Sequence, residues 1–446
     1  MAKCEYLIRV SLFSLLTSLF AGQGLAVGLD TLHLQPNERI LIVAPHPDDE
    51  VLACGGLIQQ ALALGDSVWV VYVTAGDGSW TSAWRVTGNM SPGPKDYLEL
   101  GRTRIKEARA DACLLGLDTT QLVFLGYPDG AMDQLIFEHY YDKVPVTSPH
   151  TRVTHNPYGC AGHDYVGEAV TEDLYDLIAG HRADLVIFPH PLDVHPDHWA
   201  AGATLAPIIG LWHLRETGKF PAAYYYIVHR PHSPSLNQQD ELNPPEGLRG
   251  PGQVWYTLPI STQEIIRKRA ALNSHWSQFT EFGLADLSGY VARNELFERV
   301  ENDSGTAKGD APALGFMPVP RIDSLTASLP RGQPKVFRLY LARAPVPGFN
   351  YRLYVWSRGP EQVARTIDIR KDSSNEAQAL AEPARTDSAP LIANPICTRA
   401  GGTWTVYLPA TWFDSDDMVF FAAAVRWKGK LVNHTAVGSV VRQGIP

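Results

Sequence analysis

Short continuous apolar runs alternate with longer amphipathic stretches up to about residue 300. Arg39-Ile-Leu-Ile-Val-Ala44, Ser67-Val-Trp-Val-Val-Tyr-Val-Thr74, Leu122-Val-Phe-Leu125 and Asp184-Leu-Val-Ile-Phe188 are apolar at successive positions. Strands buried on both faces of a parallel sheet require that pattern. Between them, Asp49 to Leu64, Tyr97 to Leu115 and Val166 to Ala179 carry helical periodicity, and the first two stop at Gly65 and Gly116. A late strand is expected at Tyr224 to Val228 and a further helix at Thr262 to Phe279. The βαβα order predicts an α/β fold, a Rossmann-like and mostly parallel sheet with helices on both faces. In such sheets functional groups collect beyond the carboxyl ends of the strands.

Past about residue 315 the texture changes. Lys335 to Ala342, Tyr351 to Trp356, Thr403 to Leu408 and Met418 to Arg426 are strand-like and separated by turn residues. This predicts a C-terminal all-β, sandwich-like domain. Its Trp356, Trp404, Trp412 and Trp427 suit a sandwich core better than a carbohydrate platform. Residues 301–314 have linker composition, so the chain divides into residues 27–300, this linker and residues 315–446. Within the first part, residues 131–165 break the pattern with Pro145, Pro149, Pro157, His150, His155, His163 and Cys160. A long irregular insertion either covers a site or decorates the surface.

The N-terminus reads as an export signal. Lys3 and Arg9 precede the apolar stretch Val10 to Ala21 and the small-residue pattern Gly24-Leu25-Ala26, so residues 1–26 are expected to be cleaved. This places the mature protein outside the cytoplasm, secreted or periplasmic. The apolar stretch is shorter than the about 20 residues of a spanning helix. No other stretch is apolar enough, so no stable membrane span is expected after cleavage.

Composition narrows the function. With 38 Lys+Arg against 47 Asp+Glu the net charge is −9, which excludes a nucleic-acid coat as the main role. The 11 Trp, 18 Tyr and 15 Phe supply ample core and exclude global disorder. None of the five cysteines form a CxxC pair, so no structural zinc or dithiol motif is present. Cys54 and Cys113 fall in helical patterns and are expected to be buried free thiols. One disulfide stays open among Cys54, Cys113, Cys160 and Cys397.

Two short segments carry the chemistry. The first strand runs into Pro45-His46-Pro47-Asp48-Asp49-Glu50, one imidazole and three carboxylates at a strand end. Helix capping accounts for one acid there, Glu50 above all, but not for His46 with both Asp48 and Asp49. The strand ending at Phe188 runs into His190-Pro-Leu-Asp193-Val-His195-Pro-Asp197-His198. If both strands lie in one parallel sheet, both segments lie on one edge and can share a metal. Three protein ligands with an open position is the usual catalytic zinc arrangement, and iron or another divalent ion also suits His and Asp.

The pair His46-Pro-Asp-Asp-Glu50 and His195-Pro-Asp-His198, in this order on an α/β chain, resembles the PIG-L/LmbE-like family of metal-dependent N-deacetylases. Its members include the deacetylase of GPI-anchor synthesis and those of mycothiol and bacillithiol synthesis. The resemblance covers roughly residues 38–280, with further matches at Arg104-x-x-Glu107, Leu115-Gly116, Gly126-Tyr-Pro-Asp129-Gly130 and His275-Trp-Ser-Gln278. It implies that His46, Asp49 and His198 hold Zn2+, or another divalent ion such as Fe2+. It implies Asp48 as general base, and His195 as the group that polarises the amide, oriented by Asp197. Arg104 and Asp129 are then sugar contacts, and His275 lies near the rim of the site. The activity implied is removal of the N-acetyl group from an N-acetylglucosamine-type sugar. The export signal directs this toward a cell-envelope or extracellular glycan, glycolipid or glycoconjugate. Two alternatives stay open: another N-acyl amide substrate, or a carbohydrate-binding protein with a relict metal site.

Overall fold

The computed structural model describes residues 29–141, 145–159, 163–215, 221–229, 241–245, 248, 253–279, 287–300, 306–308, 322–329, 333–341, 349–358, 364–371, 377–383, 396–400, 403–409, 413, 418–427, 430–435 and 438–441. The expected signal segment, Cys4, Cys160 and Trp412 lie outside the described residues, as do the side chains of Cys397 and Trp427.

The α/β part is built from β1 (Asp30–Thr31), β2 (Arg39–Ala44), α1 (Asp49–Ala63), β3 (Ser67–Thr74), α2 (Trp80–Thr87), α3 (Pro94–Leu115) and β4 (Leu122–Tyr127). The chain continues through α4 (Met132–Phe137), α5 (Gly167–His181), β5 (Leu185–Pro189), α6 (Pro196–Arg215), β6 (Ala222–Tyr226), β7 (Trp255–Pro259), α7 (Thr262–Leu272) and β8 (Asn294–Arg299). The eight strands form one sheet in the order β1-β7-β8-β6-β5-β2-β3-β4. All its pairs are parallel except those made by β8, which runs antiparallel to both β6 and β7. The chain leaves β2 toward β3 and β4 on one side and returns to β5 and β6 on the other. The order therefore reverses between β2 and β5.

Side chains alternate across this sheet with period two. Ile40 and Ile42 of β2 join Val70 of β3 and Ile187 of β5 in a core with Leu52 and Leu57 of α1, Ile105 of α3 and Leu272 of α7. Leu41, Val43, Val71 and Val186 face the other way, onto Met132, Leu174, Trp199 and Ile208 of α4, α5 and α6. The expected late helix is shorter in the structure, ending at Leu272 and followed by a 3-10 turn at Trp276–Gln278. Cys54 is a buried free thiol as expected, whereas the free thiol of Cys113 is exposed on α3.

The C-terminal part is antiparallel throughout. It comprises β9 (Thr306–Lys308), β10 (Ile322–Ser328), β11 (Lys335–Leu341), β12 (Phe349–Arg358), β13 (Ala364–Lys371) and β14 (Ala377–Pro383). It ends with β15 (Ile396–Ala400), β16 (Thr403–Leu408), β17 (Met418–Trp427), β18 (Lys430–His434) and β19 (Gly438–Val441). β9 falls inside the stretch expected to be a linker, and it pairs with β10. The hydrogen-bonded path runs β18-β17-β12-β13-β14-β15-β16-β11-β10-β9, with β19 beside β17. It doubles over, so Leu325, Phe337 and Leu339 meet Leu353, Phe421 and Val425 in a shared core. Trp356 and Trp404 are both buried, at 5% and 1% exposure, which makes them core rather than platform.

β12 and β17 are buried on both faces. Leu353, Val355, Phe421 and Ala423 fill the core of the β-rich part, while Tyr354, Trp356, Phe420 and Ala422 between them join the α/β core. Phe137 of α4 stacks on Trp199 and touches Tyr354 and Trp356, with ring centroids 4.1, 5.3 and 5.5 Å away. Charges close the same seam. Arg426 of β17 reaches Asp133 at 3.0 Å and Glu138 at 3.2 Å, and Arg352 of β12 reaches Glu138 at 2.8 Å. Burial raises the Asp133 carboxyl and Arg426 draws it back down. Arg426→Ala should therefore cost about 3 kcal/mol or more, because it strands a buried carboxylate. Denaturant unfolding checks this, and the paired change Arg426→Met with Asp133→Asn should cost clearly less than Arg426→Ala.

Candidate metal centre and active site

The segments after β2 and β5 meet because those strands are neighbours in register, with Ile40, Leu41 and Ile42 opposite Leu185, Val186 and Ile187. His46 lies on the turn after β2, Asp49 opens α1 and His198 lies in the first turn of α6. His46 Nδ1 stands 3.3 Å from Asp49 Oδ2, His198 Nε2 stands 3.1 Å from the same oxygen, and the two ring nitrogens are 3.3 Å apart. The edge of a tetrahedral site with metal–ligand bonds of about 2.1 Å is about 3.4 Å. Two imidazole nitrogens and one carboxylate oxygen, all buried, therefore converge at the spacing of ligands around a metal. His229, just past β6, joins these three in a group whose ligand atoms lie within 4.8 Å of one another.

The outer nitrogen of each ring meets a carboxylate, as is usual behind metal-binding histidines. His46 Nε2 faces Asp197 Oδ2 at 3.2 Å, and His198 Nδ1 faces Asp193 Oδ2 at 3.2 Å. Against the cost of burial, Asp49 and Asp193 hold the His198 ring up at about 9. The site thus favours positive charge where the donors converge, which a divalent cation satisfies.

Asp197 departs from its expected role. Its carboxylate stands 4.0 Å from His195 Nδ1 and serves His46 instead, because it also accepts the amides of Gly130 at 2.8 Å and Met132 at 3.1 Å. Only the Asp197 backbone N–H reaches His195 Nδ1, at 3.3 Å. His195 itself stands on the solvent side, its side chain 34% exposed and its ring edge-on to His46 at 4.7 Å. Burial of its inner edge and the neighbouring His46 and His198 hold the ring below its usual value.

Asp48 is the one residue of the first segment with a strained backbone, at φ 129°. Such strain persists only where surroundings enforce it. The residue is 7% exposed, and its carboxylate lies 3.1 Å from the Arg104 guanidinium. Burial raises the Asp48 carboxyl, and Arg104 moderates the rise. Glu50 accepts the Asp48 amide at 3.1 Å and the Tyr72 hydroxyl at 2.8 Å, so it supports the turn from below.

Arg104, an expected sugar contact, and His275, expected near the rim, are both buried. Arg104 is 4% exposed and donates to Gly76 O at 3.0 Å and Pro47 O at 2.5 Å besides meeting Asp48. Helix α3 packs its guanidinium under the first turn, which makes it a structural partner of Asp48. His275 is fully buried and bonded to Asp111, because the short helix α7 turns it inward toward α3. It is not a rim residue. Asp129 does reach the site: its Oδ1 lies 3.4 Å from His46 Nε2 and its Oδ2 accepts the Gly78 amide at 2.6 Å. His190 pairs with Glu298 at 2.9 Å, away from the convergence point.

The 131–165 insertion is anchored at the same edge of the sheet. Tyr165 donates to Gly126 O at 2.7 Å, Tyr158 bonds Asp77, and a Cβ on Gly126 would lie 2.3 Å from Asn156 Oδ1. A Cβ on Gly78 would lie 3.0 Å from both Asp129 and the His150 ring, so the insertion delivers His150 to the lip of the site. His163 instead pairs with Asp173 on the surface.

Sequence reasoning left two residues of this site without a role. Asp193 collects the amides of His195, Val228 and His229 at 2.9, 3.1 and 2.9 Å while facing His198. His229 carries the same signal as His46 and His190, a histidine just past a strand end. Asp193→Asn should weaken metal retention about tenfold or more, measured by competition with a chelator.

Residues 41–208 match the family model of PIG-L, described as GlcNAc-PI de-N-acetylase. No curated protein sequence matches the chain. Among solved structures, N,N'-diacetylchitobiose deacetylase from Pyrococcus horikoshii is 21% identical with a TM-score of 0.38, over 59% of this chain and 83% of that one. The A40926 pseudoaglycone deacetylase is 17% identical with a TM-score of 0.40, over 59% of this chain and 97% of its own. The 4-carboxy-2-hydroxymuconate hydratase from Pseudomonas putida KT2440 is 18% identical with a TM-score of 0.38, over 60% of this chain and 97% of its own. Both segments, assembled on one sheet edge, lie within residues 41–208, the stretch of this chain that is similar to the PIG-L family of de-N-acetylases.

Proposed function

We propose that the protein is a zinc-dependent hydrolase that removes the N-acetyl group from an N-acetylglucosamine-type sugar. The substrate would be a cell-envelope or extracellular glycan, glycolipid or glycoconjugate. The observation that carries this reading is the convergence of His46, Asp49 and His198, with Asp48 and His195 beside them. The description of the matching family supplies the acetylated amino sugar. The basic, apolar and small-residue pattern of residues 1–26 supports export. Among the described residues, no helix is long and apolar enough to cross a membrane.

His46, Asp49 and His198 would hold the ion, with His229 beside them. When bound, a divalent ion there supplies an electrophile for a carbonyl oxygen and makes water more acidic. The remaining chemistry belongs to the chain. Asp48 takes the proton of the attacking water; its burial raises its affinity for that proton, and Arg104 keeps the carboxylate in place. His195 is held neutral, and its Nδ1 accepts the Asp197 amide, which puts its proton on Nε2. That N–H is the donor for the oxyanion as the acetyl carbon becomes tetrahedral. Asp48 then returns its proton to the amine nitrogen as the C–N bond breaks, leaving acetate and the free amino sugar. Asp129 and His150 line the approach.

His198→Ala should abolish both metal binding and acetate release. Asp48→Asn should keep the metal yet lower turnover by about 100-fold or more. Metal content and acetate release across a panel of N-acetylglucosamine compounds check both. Near-normal turnover by Asp48→Asn would remove Asp48 as the base, and release of a longer acid in place of acetate would replace the substrate class.

A further inference from the structure

The β-rich domain holds the second segment at both of its ends. His434, at the end of β18, points Nε2 at the carbonyl oxygen of Asp193, 3.1 Å away. A carbonyl only accepts, so this contact is a hydrogen bond when the ring carries an N–H on Nε2; Nδ1 faces the Thr435 carbonyl at 3.2 Å. The next residue, Thr435, offers its carbonyl to Trp199 Nε1–H at 2.9 Å. The His434 ring also stacks on Trp199, with centroids 4.3 Å apart and planes at 18°. Thr435 is fixed in turn by β17: its amide donates to Ala423 O at 2.8 Å, and its hydroxyl accepts the Ala423 amide at 3.0 Å. Asp193, Trp199, His434 and Thr435 are all buried.

Between these two braces lie His195, Asp197 and His198. The stretch from His190 to His195 is irregular, outside both the sheet and α6. Its position depends on individual bonds rather than on a ladder. Asp193 is the link: its carbonyl meets the β-rich domain and its carboxylate faces His198 at 3.2 Å. A carboxylate behind a metal-binding imidazole sets the ring's orientation, and small errors there are costly.

We propose that His434 is a positioning residue for the metal centre, fixing Asp193 and through it His198. The β-rich domain is then a working part of the active site and not a detachable module. This rests on the metal-hydrolase reading above.

The test uses the full chain. His434→Phe keeps a flat ring against Trp199 and deletes the N–H; His434→Gln restores a donor. Metal affinity is measured by chelator competition, and amide hydrogen exchange is followed across the protein. His434→Phe should weaken metal binding about tenfold and speed exchange within residues 190–199, with exchange in β12 and β17 unchanged. His434→Gln should recover most of the affinity. Unaltered affinity and exchange in His434→Phe would overturn the proposal. So would faster exchange throughout the β-rich domain, which would make His434 a general structural residue. If the wild-type protein binds no metal, the hydrolase reading fails instead, and exchange in residues 190–199 still decides whether His434 braces the segment.

Discussion

Everything at the site depends on β2 and β5 lying side by side, parallel and in register. Arg39 and Asp184 lock the far end of this pair: the guanidinium donates to both carboxylate oxygens at 2.8 and 3.2 Å, and Asp184 also accepts the Arg39 amide at 3.1 Å. With that end fixed, strands of similar length deliver Pro45 and His190 to the same edge. The sheet order reverses there, so no crossover helix fills the crevice. Residues 152 positions apart thereby place ring nitrogens within 3.3 Å of each other.

That proximity is unfavourable without compensation. Several carboxylates are buried within a few ångströms, and burial alone pushes each toward its neutral form. The chain answers with fixed partners: Arg104 for Asp48, paired imidazoles for Asp49, and backbone amides for Asp193 and Asp197. The surplus of negative charge facing His46 and His198 is what a divalent cation would neutralise. The β-rich domain enters this balance through Asp133 of α4, Trp199 of α6 and the Asp193 carbonyl of the second segment. Its docking is therefore coupled to the site rather than remote from it.

The sheet was legible because β2, β3 and β5 are buried on both faces and read as unbroken apolar runs. The site was legible because His and Asp were concentrated just past two of those runs. Helix α6 was not expected. Trp199, Ala200, Ala201 and Ala203 are buried against the sheet and the β-rich domain, which removes the amphipathic period that marks a helix. β8 was hidden for the opposite reason. Its Glu295 and Glu298 are buried by pairing with Lys268 and His190, so a charged sequence forms a central strand. The roles expected of Arg104 and His275 failed because a motif gives residue types and not the direction a helix turns them. The docking face did leave a signal: Met418 to Val425 is continuously apolar in an antiparallel strand, which only burial on both faces explains.

The central claim is that the converging donors form a metal site on which amide hydrolysis depends. The most direct test is to follow metal content and acetate release on one preparation through chelation and reconstitution. The account predicts that acetate release from an N-acetylglucosamine substrate falls with the metal and returns with it, in proportion to occupancy. Undiminished acetate release from metal-free protein would contradict it.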